Sequence, residues 1–422
     1  MGALTLTPNL ATWGIAGLAT LGVILRPFSW PEAIWAVLGA AALVALGLLA
    51  PATALDGVLK GTDVYLFLVG MMLLSEIARK EGLFDWLASH AVQAAKGSAT
   101  RLFLLVYVVG TVVTVFLSND ACAVVLTPAV FAATKAAGVK QPLPYLFICA
   151  FIANAASFVL PISNPANLVV FAEHMPPLGR WLATFTLPSL LAVVATYVVL
   201  HLTQRAHLNA ETVSTSVQTP RLASGGKVAG AGIAATGGLL IAASAYGLDL
   251  GLPTFAAGLA TTLVVLLINR GGLVEVVKDV SWSVLPLVAG LFVLVEALEK
   301  TGVLGMLADV LKRSTETNPA AAAWVGGAIV AFGSNLVNNL PAGLLAGAAV
   351  QAAHVQEKVA DAILIGVDVG PNLSVTGSLA TILWLTAIRR EGEDVSAWSF
   401  LKLGLLVMPP ALVLSLAALL LV

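Results

Sequence analysis

Asn119 and Asp120 set an amide and a carboxyl side by side between two apolar runs, Leu102 to Leu117 and Ala123 to Ala133. Each run is close to the length that fits a bilayer, and an ionisable group at that depth is costly enough to mark a transport path or a proton site. A near-copy, Ser334-Asn335-Leu336-Val337-Asn338-Asn339, interrupts apolar sequence again in the second half. Across 422 residues 59% are hydrophobic and only 10% charged, so no single soluble core holds this surface and lipid must be the solvent.

A net charge of −1 points to no nucleic-acid partner and no polybasic lipid anchor. The two cysteines, Cys122 and Cys149, both fall in apolar stretches, which excludes a disulfide scaffold and a CxxC metal or redox site. The apolar N-terminus lacks a basic segment ahead of it, its first positive charge being Arg26, so it reads as a retained first span rather than a signal peptide. No Walker A string is present, and Gly230-Ala231-Gly232 opens an apolar span with no preceding strand, so neither ATP hydrolysis nor dinucleotide binding is expected. None of the histidines has metal-ligand spacing. No cofactor and no metal are expected, and the chain reads as a transporter rather than an enzyme.

Apolar runs place spans at about 10–25, 33–50, 62–78, 144–174 and 182–202, then a polar linker at 203–226. Further spans follow at about 227–246, 252–269, 283–299, 357–387 and 397–421. After the third span of each set comes a short amphipathic stretch and then the paired runs around a polar tip, about 101–136 and 320–352. Gly70, Glu76, Lys80, Gly82 and Leu87 recur as Gly290, Glu296, Lys300, Gly302 and Leu307, at an offset of 220, and Asn119 and Asp120 match Asn338 and Asn339 at 219. A shared offset carried into the tips indicates an internal duplication.

Five spans per half is odd, so the second copy, 227–422, inverts relative to the first, 1–202. With the N-terminus outside, 15 of the 21 Lys and Arg residues fall on the inner side, and only Lys60, Arg180, Lys300, Lys312, Arg313 and Lys358 fall outside. Both termini are then extracytoplasmic and the linker cytoplasmic. Residues 102–117 make a helix of about 24 Å, short of the roughly 30 Å core, which favours re-entrant hairpins over full crossings. The fold expected is all-α and polytopic, with two inverted repeats, about ten transmembrane helices, two re-entrant hairpins and two broken helices.

The breaks are legible in the prolines. A helix over 144–174 would run about 46 Å, and Pro161-Ile162-Ser163-Asn164-Pro165 splits it. In the second half, Asp368-Val369-Gly370-Pro371-Asn372 and Thr376-Gly377-Ser378 split 357–387. Broken spans in corresponding positions point to the transport site. Their half-helix ends leave free N–H and C=O groups for a solute. Solute contact is therefore expected from Ser118, Asn119, Asp120, Ser163, Asn164, Asn167, Asn338, Asn339, Thr376, Gly377 and Ser378, and proton coupling from Asp120 and then Asp368. Asn and Asp at the tips are also natural N-caps, and Asp368 could be an exposed cap. Glu76 and Glu296 each precede a lysine by four residues, the spacing of an interfacial ion pair, and stay outside the site.

The string from Ser118-Asn119-Asp120 to Thr127-Pro128 resembles the first signature of the ArsB-type arsenite and antimonite permeases. Asn338-Asn339-Leu340-Pro341 resembles their second, and Asp368 through Gly370-Pro371-Asn372-Leu373 to Thr376-Gly377-Ser378-Leu379-Ala380-Thr381 and Trp384-Leu385 their third. The resemblance covers essentially the whole chain and departs at Ser118 and Cys122, where Ala or another small residue is expected. It implies proton-coupled efflux of arsenite and antimonite as neutral trihydroxides across a bacterial-type inner membrane. It also implies a homodimer whose transport domain moves against a scaffold, and leaves room for a soluble arsenite ATPase as partner. Sodium/proton exchange or anion transport within the same superfamily is the alternative. A pyramidal trihydroxide suits a cage of Asn, Ser and Thr groups, and two cysteines are too few for the three thiolates of a tight trivalent-arsenic site.

Overall fold

The computed structural model of the chain describes residues 8–171, 175–214, 220–269 and 272–422. Among them there is no strand. Four sequence expectations fall outside the described residues: the extreme N-terminus, the end of the first broken helix with His174, the middle of the linker, and Arg270. The molecule is an all-α polytopic membrane protein. Among the described residues, seven helices are long and apolar enough to cross a membrane unaided, from Pro8–Leu25 to Ala397–Leu421. Their outward rows stay bare, with Leu18, Ile329 and Leu267 65% to 79% exposed, as expected where lipid replaces water.

Among the crossings that tie the halves together, two stand on glycine. Helix Thr62–Lys80 lies against Gly251–Asn269, and Val284–Lys300 lies against Glu32–Ala45. Both depend on glycine at the crossing point. A Cβ on Gly70 would sit 2.7 Å from the Phe255 nitrogen, and one on Gly290 would sit 2.8 Å from the Ala36 carbonyl carbon. The glycines that share the offset of 220 therefore do the same packing task in each half.

The buried glutamates have partners that sequence spacing did not single out. Glu76 is gripped by Arg79, at 2.9 and 2.6 Å, while Lys80 stands 4.0 Å away. Glu296 takes Lys60 from the bent helix Pro51–Lys60 at 2.6 Å, with Lys300 at 3.9 Å. The i,i+4 lysine is thus the secondary partner in both cases. Lys80 instead clamps the short helix Leu273–Asp279, reaching Asp279 at 3.0 Å and donating to the Glu275 carbonyl oxygen. Beside Lys80, the surface carboxyl of Asp279 is held below the usual range.

Amphipathic helices Leu83–Ala94 and Val303–Thr317 lead into the hairpins as expected. The first hairpin has arms Ala99–Leu117 and Asn119–Ala136, the latter widened into a π turn over Cys122–Leu126; the second has Pro319–Val337 and Asn339–Ala353. Each first arm has 19 residues, about 28 Å. Length alone therefore no longer separates a re-entrant arm from a crossing. Both tips end against the breaks of the broken helices. The linker is shorter than its composition indicates: helix Leu178–Ala210 runs eight residues into it, and the next helix begins at Ser224.

Candidate transport site

Both hairpin tips turn on a residue in unusual backbone geometry. Ser118 has φ 120° and ψ 163°, and Asn338 has φ 72° and ψ 150°. These values lie in or near a region that is nearly glycine-only, and such strain clusters at functional sites. The tip side chains also cap the helices behind them. Ser118 Oγ accepts from Ala121 N at 3.5 Å and Asn338 Oδ1 accepts from Leu340 N at 3.4 Å. Asn119 Oδ1 accepts from Asp120 N at 2.9 Å. Capping and a position at the tip coexist, as the sequence allowed. Asn119 and Asn339 are buried, while Asp120 is half-buried.

The breaks fall where the prolines predicted, at 156–164 between Leu143–Ala155 and Pro165–Val170, and at 370–378 between Glu357–Val369 and Leu379–Arg390. Asn164 caps the second piece of the first, accepting from Ala166 N at 3.0 Å; Ser378 caps that of the second, accepting from Thr381 N at 3.1 Å. Each break is fastened to its own hairpin by a hydroxyl. Ser163 Oγ donates to the Val115 carbonyl oxygen at 3.0 Å, and Thr376 Oγ1 donates to that of Asn335 at 3.1 Å. Asn338 Nδ2 adds a bond to the Thr376 carbonyl oxygen at 3.2 Å.

Polar side chains then join the two breaks to each other. Asn164 Nδ2 donates to Asp368 Oδ1 at 2.5 Å. Asn154 Nδ2 donates to Asn372 Oδ1 at 3.1 Å and to Thr381 Oγ1 at 3.2 Å. Asn154 and Asp368 end their half-helices at an offset of 214, the same offset that relates Asn164 to Ser378 and Asn167 to Thr381. Asp368 is wholly buried, so it is an internal acceptor and not an exposed cap.

Of the residues expected to contact solute, several have polar groups engaged in holding the breaks. Asn167 Nδ2 faces the carbonyl oxygens of Ser157, Leu160 and Pro161 at 2.9 to 3.3 Å. Gly377 has no room for a side chain, since a Cβ would stand 2.6 Å from Pro371 Cα. Sequence reasoning did not single out Asn154, Asn335 or Thr381. Asn335 is the stitch of the second tip, donating to the Ala331 and Gly370 carbonyl oxygens at 2.8 and 2.9 Å and accepting from Ser374 Oγ at 2.8 Å. A second search at an offset of 214 would have exposed Asn154, because the connection between tip and break is shorter in the second half.

A cavity of about 460 Å³ reaches the first tip from helix Thr62–Lys80. Ser118, Asp120 and Pro165 line one wall and Met71, Met72 and Glu76 the other. Exposed Arg79, Asp279 and Arg390 mark its open end. A larger groove, about 690 Å³, lies along the second hairpin, but it is polar only at its Arg313 to Asn318 end and suits lipid better than a polar solute.

A family model described as a citrate transporter, CitMHS, matches residues 20–388. The chain belongs to the citrate transporter family. As a member of it, the chain is 27% identical over 366 residues to the arsenical pump membrane protein of Escherichia coli strain K12, covering 83% of this chain and 84% of that protein. It is 26% identical over 365 residues to the protein of the same description from Yersinia enterocolitica, covering 83% and 84%. An uncharacterized transporter of Mycobacterium tuberculosis, Rv2684, is 26% identical over 378 residues, 82% of each chain. Among solved structures, the YdaH transporter of Alcanivorax borkumensis matches with a TM-score of 0.60 at 14% identity, over 98% of this chain and 97% of that one. MtrF of Neisseria gonorrhoeae, described within a class of antimetabolite efflux pumps, matches at 0.56 and 14%, over 99% and 95%. These likenesses identify the fold as that of a multi-pass membrane transporter.

Proposed function

We propose that this citrate transporter family member exports arsenite and antimonite as neutral trihydroxides in exchange for protons. The arsenical pump relatives motivate the cargo, and the cavity ending on Ser118 and Asp120 carries the reading. It opens beside Arg79, Lys80 and Arg390, on the side that the basic-residue bias assigns to the cytoplasm, where an exporter must load. There the ionised Asp120 carboxyl and the Ser118 hydroxyl receive the hydroxyl donors of the cargo. After release outside, a proton neutralises the carboxyl, accompanies the empty carrier back, and leaves to the cytoplasm before the next solute binds. Neutralising the group removes the cost of carrying a bare charge through lipid.

The two halves act as inverted repeats, 1–202 and 227–422, in this reading. The duplicated glycine crossings, tips and breaks support it. The hairpins and broken helices move as one body against the crossed helices of the scaffold, and the scaffold pairs two chains in a homodimer.

Proteoliposomes with a set pH difference test the cargo and the coupling. Arsenite should drive proton flux in the wild-type protein, and Asp120→Asn, which keeps the shape but cannot titrate, should abolish it. Wild-type-rate flux in that variant would overturn the role of Asp120. Anion uptake is the second reading, favoured by Arg79 and Arg390 on the cavity wall. A carboxylate that enters the vesicles and competes with arsenite would support it, and arsenite tolerance in expressing cells without tolerance to high sodium would separate arsenite export from sodium/proton exchange.

A further inference from the structure

We infer that Asp361 is a second proton-binding residue of this transporter, standing on the outer approach to Asp368 and governed by one guanidinium, Arg180, that it shares with Glu357. The inference rests on the proton-coupled reading above. Helix Glu357–Val369 carries three carboxyls, Glu357, Asp361 and Asp368. At 100° per residue they fall within about 40° of one another around the axis, a single acidic stripe running from the helix start to the break. The positive-inside count puts that start on the outer face.

Arg180 Nη2, from helix Leu178–Ala210, lies 3.2 Å from both Glu357 Oε2 and Asp361 Oδ2. The Glu357 side chain is 74% exposed and that of Asp361 only 3%. One cation therefore faces two carboxylates, and the uncompensated charge falls in part on a group that water cannot solvate. Taking up a proton at Asp361 relieves this, since a buried carboxylate that is incompletely paired is costly. The vacant acceptor is visible, for Asp361 Oδ1 has no hydrogen-bond partner, and neither has Asp368 Oδ2 further along the stripe.

Among the described residues, few other charges face the site. Lys358 is on the same helix. Of the neighbouring helices, Leu143–Ala155, Pro165–Val170, Pro319–Val337 and Asn339–Ala353 carry no charged residue, and the only one on Ala397–Leu421, Lys402, lies over the Trp398 ring. Asp361 and Asp368 are about 10 Å apart along the axis. Leu364 and Ile365, both fully buried, occupy the turns between them. On this helix the stripe between the two carboxyls is apolar, so a proton held at Asp361 passes inward only when the helices shift. That interruption keeps an exchanger from leaking protons without cargo.

The test varies the outer pH in proteoliposomes while arsenite-driven proton flux is measured. Glu357→Gln gives Arg180 wholly to Asp361, which favours its ionised form and lowers its affinity for a proton. The midpoint of the outer-pH profile should move to more acid values by roughly half a unit or more. Asp361→Asn should uncouple proton flux from arsenite yet leave arsenite/arsenite exchange at equal pH intact, and Asp361→Glu should restore coupling. A wild-type profile in Glu357→Gln, whose exposed side chain bears little on folding, overturns the inference alone. Absence of arsenite-driven proton flux in the wild-type protein overturns the exporter reading, and the inference with it.

Discussion

Asn167 shows how the same residue type can hold a frame or hold a solute. Its amide faces the carbonyl oxygens of Ser157, Leu160 and Pro161 in the first break, that of Leu160 also accepting from Ser163 N, which accounts for an Asn in a piece of helix that is otherwise apolar. Asn167→Ala should destabilise the solubilised protein by about 1–3 kcal/mol, the cost of buried acceptors left without a donor. The check is the thermal midpoint in detergent; a purely solute-binding Asn167 would leave that midpoint unchanged and weaken transport alone. Gly377→Ala should also destabilise, by about 1–3 kcal/mol, because the added methyl meets Pro371 backbone that cannot give way. A fluorescence-detected elution profile with falling monodispersity on mild heating would report it. Carboxyls at depth were legible in the sequence because lipid makes them anomalous. Asn154 was not, since a neutral amide in an apolar run carries no such anomaly and its match to Asp368 lies at an offset of 214 rather than 219 or 220; its partners Asn372 and Thr381 show its role.

At the scale of elements, the two hairpins share a device, a non-glycine residue with positive φ at the tip followed by a helix that the same side chain caps. Proline and glycine spacing marked the broken helices because those residues act locally on the backbone. Arm length misled, since Ala99 to Arg101 extend the first arm beyond its apolar run behind a Ser98 cap that accepts from Arg101 N. The linker was misjudged for a related reason. A polar composition does not end a helix, and Thr203 to Ala210 simply continue one. The strained tip yields its own prediction. Ser118→Gly should relieve backbone strain and stabilise the protein by an amount on the order of 1 kcal/mol, raising the unfolding midpoint, while Ser118→Val, with a branched side chain at the same φ, should lower it. A gain in stability from glycine would show that the tip stores strain, whereas lower stability in the glycine variant would rule the strain out.

The whole molecule divides along the cavity. One wall belongs to helix Thr62–Lys80, which is locked backbone to backbone on Gly251–Asn269 through Gly70 and Gly258. The other wall is the first hairpin, bound through Ser163 to the first break and, through Asn164 and Asp368, to the second. Close-packed glycine crossings resist sliding because every side chain at the contact would have to rise over the opposing backbone. Among the described residues the seam beside the cavity has no such glycine interlock, so the proposed movement of the hairpins against the scaffold would open there. Met72→Cys with Val124→Cys places one thiol on each wall, in a background where the buried Cys122 and Cys149 are replaced by Ala. A reversible thiosulfonate cross-linker should arrest arsenite flux in the double variant, phosphine reduction should restore it, and either single variant should transport throughout. Unimpeded flux in protein shown by mass to be fully cross-linked would mean that the two walls do not move apart, and that the cargo crosses by local rearrangement of the tips alone.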